Sequence, residues 1–253
     1  MSSLAIASIV FVCVFSSGLV GLFVRASLPS HHLSEDSTGV VKLGTGLIAT
    51  LSALVLGLLI ASAKTSFDKI KDEVTQAAAK VVQLDRVLAH YGPETKESRT
   101  LIREVVASAL EVLFSEERSS FANLDAPERL ARVEAIQAKL RALTPQNEAQ
   151  RALQSRALEL SNELLQMRWL LITQGEGAIP TPFLVVLVLW LAIIFAGFGL
   201  LSAKNATVVA ILAVCALSVS GAIFLIEEMD RPLEGLMKIS SAPMRNALIH
   251  LGQ

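Results

Sequence analysis

The sequence predicts an all-α membrane protein, with four transmembrane helices and a helical bundle inserted between spans two and three. Three observations carry that prediction. Four apolar runs each hold about 20 residues or more, and at about 1.5 Å per residue such a helix covers the roughly 30 Å of a bilayer's hydrocarbon core. The chain is 53% hydrophobic and only 18% charged, against about 25% charged in soluble domains, and the deficit is concentrated in those runs. Between the second and third runs lies a long polar region whose apolar residues recur every 3.5 positions, the period of a helix seam.

The first span covers residues 4–24. No Lys or Arg precedes it, it exceeds the roughly 7–15 apolar residues of a secretory signal core, and no small-x-small cleavage site follows. It is read as a retained transmembrane helix. A loop at 25–39 holds Pro29, His31, His32, Glu35 and Asp36. Adjacent histidines point apart on most backbones and no third spaced ligand is present, so the pair reads as solvated. The second span, 40–63, carries Lys42 near its start.

The polar region then reads as four helices. Phe67, Ile70, Val74, Ala77, Val81, Leu84, Leu88 and Tyr91 alternate by three and four along the first, which continues from span two without a breaker. Gly92-Pro93 stops it, because Gly suits a helix C-terminus and Pro a helix start. The second helix occupies 93–121 and breaks at 123–125. Asp125 as N-cap, with Pro127 and Glu128 in the first turn, opens the third, which buries Leu130, Val133, Ile136, Leu140 and Leu143. Thr144-Pro145 ends it. The fourth, 145–174, repeats the seam with Leu153, Ala157, Leu160, Leu164, Met167 and Leu171. These seams suit either packing within one chain or contact between subunits; the spacing serves both. A Gly- and Pro-rich hinge at 175–182 leads into the third span, 182–203; Lys204-Asn205-Ala206 form a tight turn, and the fourth span is 207–226.

The expected organisation is therefore 1–63, two spans and an outer loop; 64–179, a cytoplasmic antiparallel helical bundle; 180–226, two further spans; and 227–253, a cytoplasmic tail. Lys64, Lys69, Lys71, Arg168, Arg231 and Lys238 flank the spans on the side of the bundle, whereas Arg25, Lys42 and Lys204 flank the other. The excess of Lys and Arg places both termini and the bundle in the cytoplasm.

Composition excludes several functions. A net charge of −1, with one Tyr and two Trp, supports neither electrostatic steering nor base stacking of nucleic acid. Cys13 and Cys215 sit in apolar runs, expected as small buried hydrophobes without disulfide or zinc. The sequence contains no P-loop, H-E-x-x-H, G-x-S-x-G or G-x-G-x-x-G pattern, so no enzyme activity and no cofactor is expected. Residues Glu97, Arg99, Arg103 and Glu104 read as a solvated face with pairing along the helix, and Glu116-Glu117 as a surface feature. No ionisable residue lies mid-span, which argues against a proton relay, a coupled transporter or a voltage sensor.

Two places carry the functional expectation. On span two, Gly39, Gly46, Thr50, Ala53, Gly57 and Ala61 form a small-residue stripe. Such a stripe lets helix backbones pack closely, or, repeated about an axis, it lines a narrow pore. Gly46, Thr50, Ala53 and Gly57 are its centre. Gly18 and Gly21 of span one and Gly197 and Gly199 of span three are read as packing positions. After span four, Glu227, Asp230, Arg231 and Pro232 mark a bend: Pro232 disfavours helical geometry at Arg231. This stretch is read as a junction between membrane and bundle, through which bundle movement reaches the spans.

Several stretches together resemble a family of bacterial membrane proteins of unknown function, the bestrophin-like domain family. They are Arg25-Ala-Ser-Leu-Pro-Ser-His31; the block from Val41 to Lys64, with Ser66-Phe67-Asp68 after it; Leu84-Asp85-Arg86; Tyr91-Gly92-Pro93-Glu94; and Asp230-Arg231-Pro232. The resemblance implies a four-span protein of the bacterial inner membrane, in contact with lipid. It also implies kinship with bestrophins, which are oligomeric anion channels, and hence a homo-oligomer conducting small anions. The alternative is a non-conducting membrane scaffold or sensor whose cytoplasmic bundle binds a protein partner.

Overall fold

The computed structural model describes residues 2–29, 34–114, 126–174, 181–233 and 235–253. The His31-His32 pair, Glu116-Glu117, the break at 123–125 with its Asp125 cap, and the linker at 175–180 lie outside these residues. The described elements are helices: α1 (Ser3–Ser27), α2 (Glu35–Tyr91), a 3₁₀ turn (Pro93–Thr95), α3 (Lys96–Phe114), α4 (Pro127–Ala142), α5 (Glu148–Gln174), α6 (Thr181–Leu201), α7 (Ala206–Met229) and α8 (Ala242–His250). Four of them, α1, α2, α6 and α7, are long and apolar enough to cross a membrane. The chain divides into two compact units: residues 1–66 with 178–230, and residues 67–177 with 231–253.

In the first unit α1 packs against both α6 and α7. Small residues set the closeness of that packing. A Cβ on Gly21 would stand 2.1 Å from the Ala196 carbonyl oxygen, and one on Gly199 would stand 2.1 Å from the Gly18 carbonyl oxygen. Both obstacles are backbone, so neither can move aside as a flexible side chain would. The predicted packing role of Gly18, Gly21, Gly197 and Gly199 is therefore physical: backbones approach where side chains are missing. Arg25 closes the end of this contact, its Nη1 donating to the Leu200 carbonyl at 3.0 Å, one of the carbonyls a helix leaves unpaired at its C-terminus. The tight turn before α7 is capped by Asn205, whose side-chain oxygen accepts from the Val208 N–H at 2.8 Å, the expected N-cap geometry.

Most of the apolar surface of these helices points outward. Leu4, Phe23, Phe183, Val185, Val214 and Leu217 are each more than half exposed. Cys13 and Cys215 are exposed too, contrary to the expectation that they are buried. In a membrane helix an apolar residue need not be inside, because lipid is as apolar as a protein core.

In the second unit the 3.5-residue repeat of α2 turns inward. Ile70, Val74, Ala77, Val81, Leu84, Leu88 and Tyr91 are buried, with Phe67 partly so, against Ile102, Val106, Ile136, Leu140, Ala157 and Leu160 of the other helices. Of the expected α4 core residues Ile136 and Leu140 are buried, while Leu130, Val133 and Leu143 are intermediate.

Polar side chains close the helix ends. Gly92 turns at φ +143°, a region that Cβ-bearing residues avoid. Fully buried Thr95 then donates its hydroxyl to the Leu88 carbonyl at 2.6 Å. Gln150 of α5 donates to the Tyr91 carbonyl at 3.0 Å. Gln154 donates to the carbonyls of Leu140 and Leu143 at 3.0 and 2.9 Å, satisfying the C-terminal end of α4.

The segment read as a tail is part of this unit. Leu233, Ile239, Met244, Ala247 and Leu251 are buried in the same apolar core, and α8 packs on α3. A nine-residue helix has little stability alone; burial of this apolar side supplies the rest.

Candidate functional site

Along its membrane portion α2 presents distinct faces. Thr45, Ser52, Leu59 and Ala63 follow one another at seven, seven and four, and all are buried. Thr45 lies against α6, where a Cβ on Gly197 would stand 2.7 Å from Thr45 Oγ1. This is the face that joins α2 to its own chain.

Gly46, Thr50, Ala53 and Gly57 occupy a different face, roughly a quarter to a third of a turn away. All four are exposed. A Cβ added to Gly46 or Gly57 would meet nothing within 4 Å, the reverse of the glycines in α1 and α6. Thr50 donates its hydroxyl to the Leu47 carbonyl at 2.8 Å, which leaves its oxygen lone pairs on the outer surface. Beside this stripe run Leu43, Leu47, Leu54 and Leu58, which are 64–78% exposed.

The arrangement has a limited chemistry. Gly46, Thr50, Ala53 and Gly57 carry no charge, so they can neither relay protons nor sense voltage. They offer close approach to another backbone and, at Thr50, a neutral oxygen. Among the described residues no group of three or more His, Cys, Asp or Glu gathers in a way that could hold a metal.

The second predicted place lies at the end of α7. Helix geometry persists to Met229, and the Asp230 N–H still bonds to the Ile226 carbonyl at 3.0 Å. Arg231 is already outside the helix, as the following proline requires. The Pro232 carbonyl accepts the Ile239 N–H at 2.9 Å, closing a loop in which Gly235 turns at φ +78°. Glu228 is buried, whereas Glu227, Asp230 and Arg231 are intermediate. The boundary between the two units falls between Asp230 and Arg231 in the chain.

Sequence reasoning missed a polar cluster in the second unit. Asp85 is almost fully buried and receives both Nε and Nη2 of Arg99, each at 2.8 Å. Arg99 had been expected on a solvated face. Its hydrogen bonds to Asp85 hold the Arg99 guanidinium still more firmly protonated, against the opposing effect of burial. Lys80 of α2 bonds to Glu163 of α5, which keeps the Glu163 carboxyl below the ordinary range, the Lys80 hydrogen bond being the largest cause. Asp85 carried a signal: it follows Val81 by four on the buried side of α2, where a carboxylate needs a cation.

Comparison with known proteins places this geometry. The family model described as Bestrophin-like domain matches residues 10–244. Solved structures of point variants of a bacterial bestrophin homolog from Klebsiella pneumoniae share the fold. One aligns with a TM-score of 0.68 at 13% identity, over 97% of this chain and 98% of that one. Another gives 0.68 at 15% identity, over 100% and 99%. A variant of a protein described only as a membrane protein gives 0.67 at 12% identity, over 98% and 99%. No curated protein matches the chain.

Proposed function

This chain belongs to the Bestrophin-like domain family and is an integral membrane protein, and on that footing we propose that it assembles with copies of itself into a channel-like oligomer that conducts small ions. Anions are the favoured class by analogy with bestrophins. The oligomer sits in the bacterial inner membrane, with both termini and the helical bundle in the cytoplasm, and it performs no enzymatic reaction.

One observation carries the reading. The exposed stripe Gly46, Thr50, Ala53 and Gly57 sits on a helix whose other face, Thr45, Ser52 and Leu59, is already used by its own chain. Small residues on a lipid-exposed face gain nothing from lipid, whereas they serve either a tight helix contact or the wall of a narrow path. Repeated about a symmetry axis, the stripe lines that path, with Thr50 as its polar oxygen. The bend at Glu227, Asp230, Arg231 and Pro232 is the proposed place where movement of the bundle reaches the spans.

The first test is oligomeric state in mild detergent, by light scattering after size exclusion. A defined oligomer is expected. A monomer under conditions that preserve the fold contradicts a shared pore.

A further inference from the structure

Among the described residues of the second unit, the exposed large apolar side chains are Trp169, Leu170, Leu236, Met237 and Ile249. A single exposed Leu is ordinary on a protein surface, but the placement of these is uneven. Trp169 and Leu170 shortly precede α6, which begins at Thr181. Leu236 and Met237 shortly follow α7, which ends at Met229. Both α6 and α7 are long and apolar enough to cross a membrane. All but Ile249 therefore stand, along the chain, beside an entry to the bilayer.

Leu236 is the extreme case. At 84% it is the most exposed large hydrophobic residue among those described, yet the chain around it is pinned. The Pro232 carbonyl accepts the Ile239 N–H at 2.9 Å, and Leu233 and Ile239 on either side are buried in the apolar core. Gly235 turns at φ +78°, a conformation that suits glycine. The fold thus presents the Leu236 side chain outward on a fixed turn, with Met237 and Lys238 exposed beside it.

Removing that apolar surface from water is favourable, and so few residues separate the turn from α7 that a bilayer surface is the apolar medium within reach. The residue types match that surface. Leu and Met enter the acyl boundary, while a Lys keeps its apolar stem low and its ammonium among the headgroups. Trp, as at Trp169, is enriched at the same level. A second copy of the chain is the competing occupant, but a turn with two apolar side chains offers far less than the roughly 800 Å² per partner of a stable protein interface.

We propose that the turn carrying Leu236 and Met237 docks into the lipid surface as an interfacial anchor, with both side chains below the phosphates and Lys238 at the headgroups. The contact holds the chain just past the bend at Asp230, Arg231 and Pro232 to the bilayer. It stands whether or not the oligomer conducts ions.

The test uses the full-length protein in vesicles of phosphatidylethanolamine and phosphatidylglycerol, with Cys13→Ser and Cys215→Ser leaving one labelling site. A nitroxide is attached at Met237→Cys and, in a separate protein, at Thr100→Cys, an exposed position of α3. Electron spin resonance compares collisions with oxygen, which partitions into lipid, and with a water-soluble nickel chelate. Oxygen should dominate at position 237 and nickel at position 100. Adding Leu236→Ser to the Met237→Cys protein should abolish the oxygen preference with helix content unchanged, which separates anchoring by the natural side chain from insertion driven by the label. Nickel dominance at position 237 overturns the proposal, because the turn is then in water. Shielding from both reagents overturns it in favour of a protein contact, a second copy included. An oxygen preference that survives Leu236→Ser overturns it as well.

Discussion

Asp85 and Arg99 form a two-pronged ion pair between α2 and α3, Nε to Oδ1 and Nη2 to Oδ2, both at 2.8 Å, with the Asp85 side chain only 1% exposed. The C-terminal residues complete it. The Gly252 N–H donates to Asp85 Oδ2 at 3.3 Å, and Arg99 Nη2 also donates to the Gln253 carbonyl at 2.9 Å. The buried carboxylate thus has donors on both oxygens, and the segment after α8 is held to the core by the same charges.

Removing one partner is expected to cost far more than removing both. Arg99→Gln leaves a buried carboxylate without its cation and should destabilise the fold by about 3–5 kcal/mol. The double variant Asp85→Asn with Arg99→Gln should recover a large part of that loss, because no charge is stranded. Denaturant or thermal unfolding in detergent measures both. Equal losses for the single and double variants would show that the ion pair is not the source of the effect.

Lys80 and Glu163 predict an acid sensitivity. The folded-state pKa of Glu163 is depressed, so its contribution is present above the unfolded carboxyl pKa and is lost as pH falls through the lower folded value. Lys80→Met should return the Glu163 carboxyl toward its ordinary range and flatten this part of the acid unfolding profile. Carboxyl-resolved NMR titration of the two proteins checks the direction; an unchanged Glu163 midpoint contradicts it.

The glycines divide into two classes with opposite expected tolerance. Gly21→Val drives a side chain into the Ala196 backbone, where even a Cβ stands at 2.1 Å. It should cost at least the roughly 1–3 kcal/mol of ordinary overpacking. Gly57→Ala meets open space in its own chain, and should change the stability of the isolated subunit by no more than about 0.5 kcal/mol. Thermal unfolding in detergent, compared for the two variants, reads the contrast.

The stripe itself predicts a crosslink. With Cys13 and Cys215 replaced by Ser, since both are exposed, Ala53→Cys should form a disulfide-linked dimer under mild oxidation in membranes. Val185→Cys, exposed on α6, is the control and should stay monomeric on a reducing-agent-free gel. A crosslink at position 185 and none at 53 would move the subunit contact away from α2.

Much of this architecture was legible in the residues. The seam from Phe67 to Tyr91 could be read because each heptad places apolar side chains on one narrow stripe, and burial follows that stripe. Gly92-Pro93 was legible as a stop for the same local reason. The Asp85–Arg99 pair was not, since its partners are 14 positions apart and meet only once α3 folds back. The helix α8 was overlooked although Met244, Ala247, Leu248 and Leu251 recur at three, four and seven. Nine residues give too few turns for periodicity to stand out, and only the core it joins makes it stable. Cys13 and Cys215 were misplaced because burial rules learned from water do not transfer to helices solvated by lipid. The stripe on α2 was visible as a pattern, but only the structure separates it from the neighbouring face that Thr45 and Ser52 bury.

The central claim is that copies of this chain conduct ions past Thr50. The most direct measurement is current across planar bilayers containing purified oligomer, for the natural chain and for Thr50→Trp. The account predicts unitary currents that the tryptophan variant reduces or abolishes without altering assembly. An absence of current in repeated preparations of intact oligomer, or currents indifferent to Thr50→Trp, would contradict it.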